Sequence, residues 1–151
     1  MQTGLLIGGI VTILLGLVFV IVAIVSRNKA KAAESWPVTQ GQILFANIES
    51  HTSTDSDGDT STSYEVKVEY NYDVMGAPMK GQRISYGATG SDYNSAKKIA
   101  DRYPVGASVT VHYNPEKPSD AVLETTARGG TAFLIVGIVI MVIGVILLIV
   151  S

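Results

Sequence analysis

Two stretches of the chain are apolar almost throughout and carry no charged side chain: residues 4–25, "GLLIGGIVTILLGLVFVIVAIV", and residues 131–150, "TAFLIVGIVIMVIGVILLIV". Each is roughly 20 residues long, which at about 1.5 Å rise per residue spans a hydrocarbon core of about 30 Å. Both are predicted transmembrane helices, with the lipid bilayer as their surroundings. Buried core helices would need covering on every side, and the segment between the runs is too small to cover two of them. A cleaved signal peptide fits the first run poorly, because the run exceeds the ~7–15 residues of a signal core and "MQT" lacks a basic start.

Residues 26–35, "SRNKAKAAES", favour helix and predict a juxtamembrane linker that carries the first helix a turn or two further, until Pro37 ends it. From residue 36 to 128 the period changes to two. "GQILFANIES" is a candidate strand and "SYEVKVEYNYDV" a stronger one, with Tyr64, Val66, Val68, Tyr70, Tyr72 and Val74 on one face and polar residues on the other. A face that is buried opposite a face that is wet implies an antiparallel sheet. "MGAPM" predicts a turn through Gly76 and Pro78, "KGQRISYG" a third strand, "SVTVHYN" a fourth with Val109, Val111 and Tyr113 inward, and "AVLE" a short last one. In "SDYNSAKKIADRYP", Ala96, Ile99, Ala100 and Tyr103 recur at helical spacing, Ser91 or Asn94 can cap the start, and Pro104 follows the end. The predicted fold class is an α+β membrane protein, two transmembrane helices flanking a small antiparallel β-sheet domain with one amphipathic helix.

The segments "WPVTQGQI", the strand ending in "YNY", "GQRISYG" and above all "RYPVGASVTVHYNPEKPSDAVLE" resemble the bacterial family of the domain of unknown function 3592. The resemblance implies a β-rich domain set between or beside transmembrane helices, in a bacterial inner or cell membrane. It implies no catalytic residue. Its most specific positions, such as Pro104, Gly106, Asn114, Pro115 and Pro118, have turn-forming roles, and Val109, Val111 and Tyr113 fill the apolar face of a strand.

Composition narrows the function classes. Only 16% of residues are charged, the formal net charge is −2, and there is no basic stripe with interleaved aromatics, so nucleic-acid binding has no support. The absence of Cys removes a disulfide framework and any Cys-based zinc site. No Gly-x-Ser-x-Gly elbow occurs, and "GATGSDYNSAKK" lacks the Gly-Lys-Ser/Thr ending of a phosphate loop. Neither apolar run holds an ionisable residue, which argues against a proton relay or a charged transport path. An enzyme is therefore not expected.

Three features carry candidate chemistry. Asp55, Asp57 and Asp59 alternate in "TDSDGDTST", as hard oxygen ligands for calcium do. Counted from Asp55, the sixth position is Thr60 where Gly belongs and the twelfth is Val66 where a bidentate Glu belongs, so a full EF-hand is excluded. What remains is a weak, partly hydrated calcium site or a polar hairpin tip. His51 borders this loop, and His112 is expected to point outward into solvent; neither has zinc spacing. Third, Gly4 and Gly8 form a GxxxG, with Gly9 and Gly16 further on, and Gly137 and Gly144 make a stripe on the second helix, so these faces are candidates for pairing with each other or with another protomer.

Arg27, Lys29 and Lys31 follow the first apolar run and Arg128 precedes the second, so the positive-inside rule predicts a cytoplasmic middle domain with both termini outside. The functional expectation is a non-enzymatic accessory or scaffold subunit that assembles through its helices as a homo-oligomer or with a larger membrane complex. The alternative is a membrane-anchored ligand or calcium sensor using the Asp-rich loop, residues 54–63.

Overall fold

The computed structural model describes residues 2–150. In chain order the elements are α1 (Gln2–Glu34), β1 (Val38–Thr54), β2 (Thr60–Val74), β3 (Ala77–Gly81), β4 (Gly90–Ser91), α2 (Tyr93–Ala100), β5 (Ser108–Tyr113), β6 (Ala121–Val122) and α3 (Gly130–Val150). They form two compact units, one built from the chain up to Lys29 and from Gly129 onward, the other from Ala30–Arg128. The fold class is that of an α+β membrane protein, in which two helices long and apolar enough to cross a membrane flank a small antiparallel sheet in the sequence.

In the helical unit α1 and α3 run antiparallel and expose Leu, Ile and Val over most of their surface. Their shared face is made of small residues. α1 ends where Ser35 and Trp36 donate their N–H groups to the Ala32 and Ala33 carbonyls at 3.1 and 3.2 Å, immediately before Pro37.

The sheet unit holds a six-stranded sheet among the described residues, in the order β3-β2-β1-β5-β6, with β4 also pairing with β2. All of these ladders are antiparallel. Alternation places Val68, Tyr70, Tyr72 and Val74 of β2 in one core with Ile43, Val111, Ile84, Leu123 and Tyr103. Tyr70 is fully buried and reconciles its hydroxyl with that position by donating toward the Arg83 and Ala121 carbonyls at 3.0 and 3.2 Å. The Tyr72 hydroxyl donates to the Pro118 carbonyl at 2.7 Å. A smaller cluster joins Ala30 and Ala33, from the last turns of α1, to Tyr86, Val122 and Trp36.

Several local expectations are corrected. β1 and β2 are longer than predicted, because the polar Ser/Thr stretches on either side of the tip stay paired from His51↔Ser63 to Thr54↔Thr60. The turn before β3 is the two residues Met75 (φ 53°) and Gly76 (φ 85°), with the Gly76 N–H held by Asp73 Oδ1 at 2.6 Å. Positive φ at both central positions matches the twist of the flanking strands. Pro78 therefore lies inside the third strand, which it can do because β3 is an edge strand. That strand ends at Gly81, so "KGQRISYG" is mostly irregular chain. The cap of α2 is Asp92, not Ser91 or Asn94: Asp92 is extended, and its carboxylate accepts from the Ser95 N–H at 3.0 Å and the Ser95 hydroxyl at 2.6 Å. Ser91 is in β4 and Asn94 is already inside the helix. Tyr103 follows the helix instead of belonging to it, and is buried in the core.

Candidate functional site

The Asp-rich stretch is the tip of the β1–β2 hairpin. Asp55 organises it: its Oδ1 accepts from the N–H groups of Asp57 at 3.1 Å and Asp59 at 2.9 Å, while its own N–H donates to the Asp59 carbonyl at 2.9 Å. Gly58 supplies the left-handed residue the turn needs, at φ 88°. Below the tip, hydroxyl pairs face each other across the strands, Thr54 to Thr60 at 3.2 Å, Ser53 to Ser61 at 3.2 Å and Thr52 to Thr62 at 3.3 Å. Among the described residues no three acidic, His or Cys side chains are grouped so as to hold a metal ion. The backbone bonds of Asp55 make it a turn former, leaving the Asp57 and Asp59 carboxylates at the exposed tip.

The two histidines lie apart. His51 stands on the outer face of the hairpin, its Nε2 3.5 Å from Glu65. Lys67 reaches the same carboxylate at 2.8 Å and holds it below the usual carboxylate range. His112 is half-buried instead of solvated, and its Nδ1 is buried without a hydrogen-bond partner. The reason lies in the register: His112 sits between Val38 and Val122, and Val122 is fully buried in the second cluster, so this face of β5 is covered as well.

The structure also assembles two groups that alternation alone does not disclose. Glu124 receives the Tyr103 hydroxyl at 2.5 Å, Arg102 at 2.9 Å and Arg128 at 2.9 Å. Burial pushes the Glu124 carboxyl up, but the tyrosine and the two guanidiniums outweigh it and hold the group below its ordinary value. Burial raises the Tyr103 hydroxyl, and its hydrogen bond to this carboxylate raises it further. Asp120 likewise takes Arg83 at 2.5 Å and the Tyr86 hydroxyl at 2.9 Å, and Tyr86 is pushed up to about 12 by burial first and Asp120 second. In both groups the guanidinium and the hydroxyl are bonded to one shared carboxylate, which clamps the chain at that point. The chain from Ile84 to Ala88 is strapped to the segment around Leu123 and Arg128, with the Arg128 N–H on the Tyr86 carbonyl at 2.8 Å and the Ala88 N–H on the Arg128 carbonyl at 2.9 Å. Only the four-residue spacing of Glu124 and Arg128 hints at this in the sequence.

In the helical unit the glycines divide into two sets. A Cβ at Gly16 would stand 2.7 Å from the Gly137 carbonyl, and one at Gly144 would stand 3.0 Å from the Gly9 carbonyl. Gly9 thus faces Gly144 and Gly16 faces Gly137, seven residues apart on each helix. One heptad further, Ala23 and Gly130 are buried too. Contacts this close leave room only for hydrogen, so backbone Cα–H groups meet carbonyls across the pair. Gly4 and Gly8 face open space, with nothing within 4 Å of a Cβ at either position. Beside this face the Thr12 hydroxyl folds back onto the Gly8 carbonyl at 2.8 Å.

No curated protein matches the chain in sequence. A family model does, over residues 39–128, which run from β1 to the Glu124/Arg128 clamp. That span takes in the strands of the sheet and most of the chain's length, and the chain belongs to the family described as domain of unknown function (DUF3592).

Proposed function

We propose that the protein is a non-enzymatic accessory or scaffold subunit, held in a bilayer by the α1/α3 pair and assembling with itself or with a larger membrane complex. The observation that carries this reading is the glycine-lined face between the two helices. It uses Gly137 and Gly144 of α3 and two of the four glycines of α1, Gly9 and Gly16, within one chain, so the pair is a closed anchor with Leu, Ile and Val turned outward to lipid. Neither apolar run holds an ionisable residue to line a path. The surfaces left for other molecules are the Gly4/Gly8 face and the sheet domain. Arg27, Lys29, Lys31 and Arg128 at the inner ends of the two runs support a cytoplasmic domain with both termini outside.

Native mass spectrometry of the full chain released from membranes tests the assembly: oligomers or a stable complex are expected, and a strictly monomeric, partnerless chain contradicts it. Protease access to the hairpin tip in intact cells tests the sidedness. Protection is expected, and cleavage without permeabilisation reverses the orientation.

A further inference from the structure

β1 carries a row of backbone groups that its own sheet leaves open. β5 pairs with β1 from Val38 to Gln42, and Ile43 still bonds Ala107 and Gly106 at 2.9 and 2.8 Å. Since Ile43 bonds toward β5, its pairing with Tyr70 is not a hydrogen-bonded one. The bulge between Ile43 and Phe45 inserts one residue and reverses the parity, so from Phe45 onward the odd residues bond β2 and the even ones turn outward. The Ile48 N–H, taken by the Asn47 side chain at 2.9 Å, agrees with that direction. Ala46, Ser50, Thr52 and Thr54 thus aim N–H and C=O groups at an edge that no strand covers among the described residues.

The side chains along this edge are unevenly matched. Glu49 lies directly opposite Glu65 on the outer face, an unfavourable placement for like charges. Lys67 and His51 both serve Glu65, at 2.8 and 3.5 Å, and Glu49 is exposed.

We propose that this edge pairs with the same edge of a second copy of the chain, antiparallel about Ser50. That register sets Glu49 opposite His51 of the second copy, and His51 opposite its Glu49, so each Glu49 carboxylate, which in its own chain is attracted by Lys67, gains one imidazole. Centred on Glu49, the same pairing would oppose two Glu49 carboxylates, and centred on Thr52 it would oppose Glu49 to Asp55. Charge therefore selects Ser50. Pairing replaces the Asn47 bond to the Ile48 N–H with a carbonyl of the second copy. A pair of edge strands is small beside the ~1,200 Å² of a standard interface, so the contact depends on anchoring both copies in one membrane, which raises their effective concentration.

The proposal deepens the self-assembly reading and rests on it. The chain has no cysteine, so a single Ser50→Cys variant of the full chain in lipid vesicles is a clean probe. Residues facing each other in a hydrogen-bonded antiparallel pair have Cα atoms about 5.5 Å apart, within disulfide reach. Mild oxidation is expected to crosslink Ser50→Cys at least tenfold more than Asp57→Cys at the tip. Ser50→Pro removes an outward N–H without touching the β2 ladder, and is expected to keep the fold by circular dichroism while abolishing the dimer in native mass spectrometry. Equal crosslinking at both positions overturns the edge pairing. So does a dimer that survives Ser50→Pro or crosslinks at Gly8→Cys instead, and in that case self-assembly itself stands. A monomeric wild-type chain overturns both.

Discussion

The two units of this chain pack by opposite means. The helical unit brings two backbones together by leaving side chains out, with Gly9 on Gly144 and Gly16 on Gly137. The sheet unit fills its interior with some of the largest side chains available, Tyr70, Tyr72 and Tyr103, and gives each hydroxyl a carbonyl or carboxylate. In lipid there is no hydrophobic gain from helix association, so close contact has to come from shape. In water the area of a tyrosine is itself the driving force, provided that its polar end is satisfied.

That contrast can be broken at either end. In the sheet unit, Tyr70→Ala removes a fully buried ring and is expected to cost about 3–5 kcal/mol in domain stability, measured by denaturant unfolding. Tyr70→Phe keeps the ring but leaves the Arg83 and Ala121 carbonyls short of a donor, for a smaller loss of about 1–3 kcal/mol. In the helical unit, Gly16→Leu must force the helices apart, because even a Cβ would lie 2.6–2.9 Å from Met141 and the Gly137 carbonyl. A loss of about 1–3 kcal/mol is expected from overpacking, whereas Gly8→Leu, which meets open space, is expected to leave the thermal stability of the full chain in nanodiscs unchanged.

Smaller effects sharpen the same picture. Glu124 has a lowered folded-state pKa, so its contribution is present above the ordinary carboxylate value of 4.5 and is lost as pH falls through the lower folded value. Unfolding measured between pH 6 and about 3 should therefore show a loss of stability that Glu124→Gln flattens. The smallest response is expected at the hairpin tip, where Asp55 already holds the turn together. Calcium up to about 5 mM, in the range of weak extracellular sites, should leave the backbone amide shifts of Asp55 to Asp59 unmoved.

What was legible in the sequence follows the same division. Alternation of residue type in β2 is strict from Tyr64 to Val74, with one face in the core from Val68 onward, and the two apolar runs are long enough to announce themselves. The bulge beside Leu44 was not legible, since it shifts pairing without breaking any residue pattern. Nor was the early end of β3, whose edge position lets Pro78 sit inside a strand. The cap at Asp92 was within reach, for Asp is as good a cap as Ser or Asn, and only backbone geometry chooses among neighbours. Among the glycines the sequence showed the heptad spacing but not which set faces the other helix. Gly4 and Gly8 make the familiar motif, yet Gly9 and Gly16 are the pair whose register matches Gly144 and Gly137. The clamp at Glu124 joins the adjacent Arg102 and Tyr103, from the turn after α2, to Glu124 and Arg128 more than 20 residues on, a meeting that only the folded topology produces.

The helices α1 and α3 close on each other through their glycines, and solid-state NMR of the full chain in lipid bilayers, labelled with carbon-13 at glycine Cα, tests this most directly. Through-space cross-peaks are expected between Gly16 and Gly137 and between Gly9 and Gly144, with none from Gly4 or Gly8 to α3. Cross-peaks from Gly4 or Gly8 in their place, or no contact between the two helices, would contradict that closure.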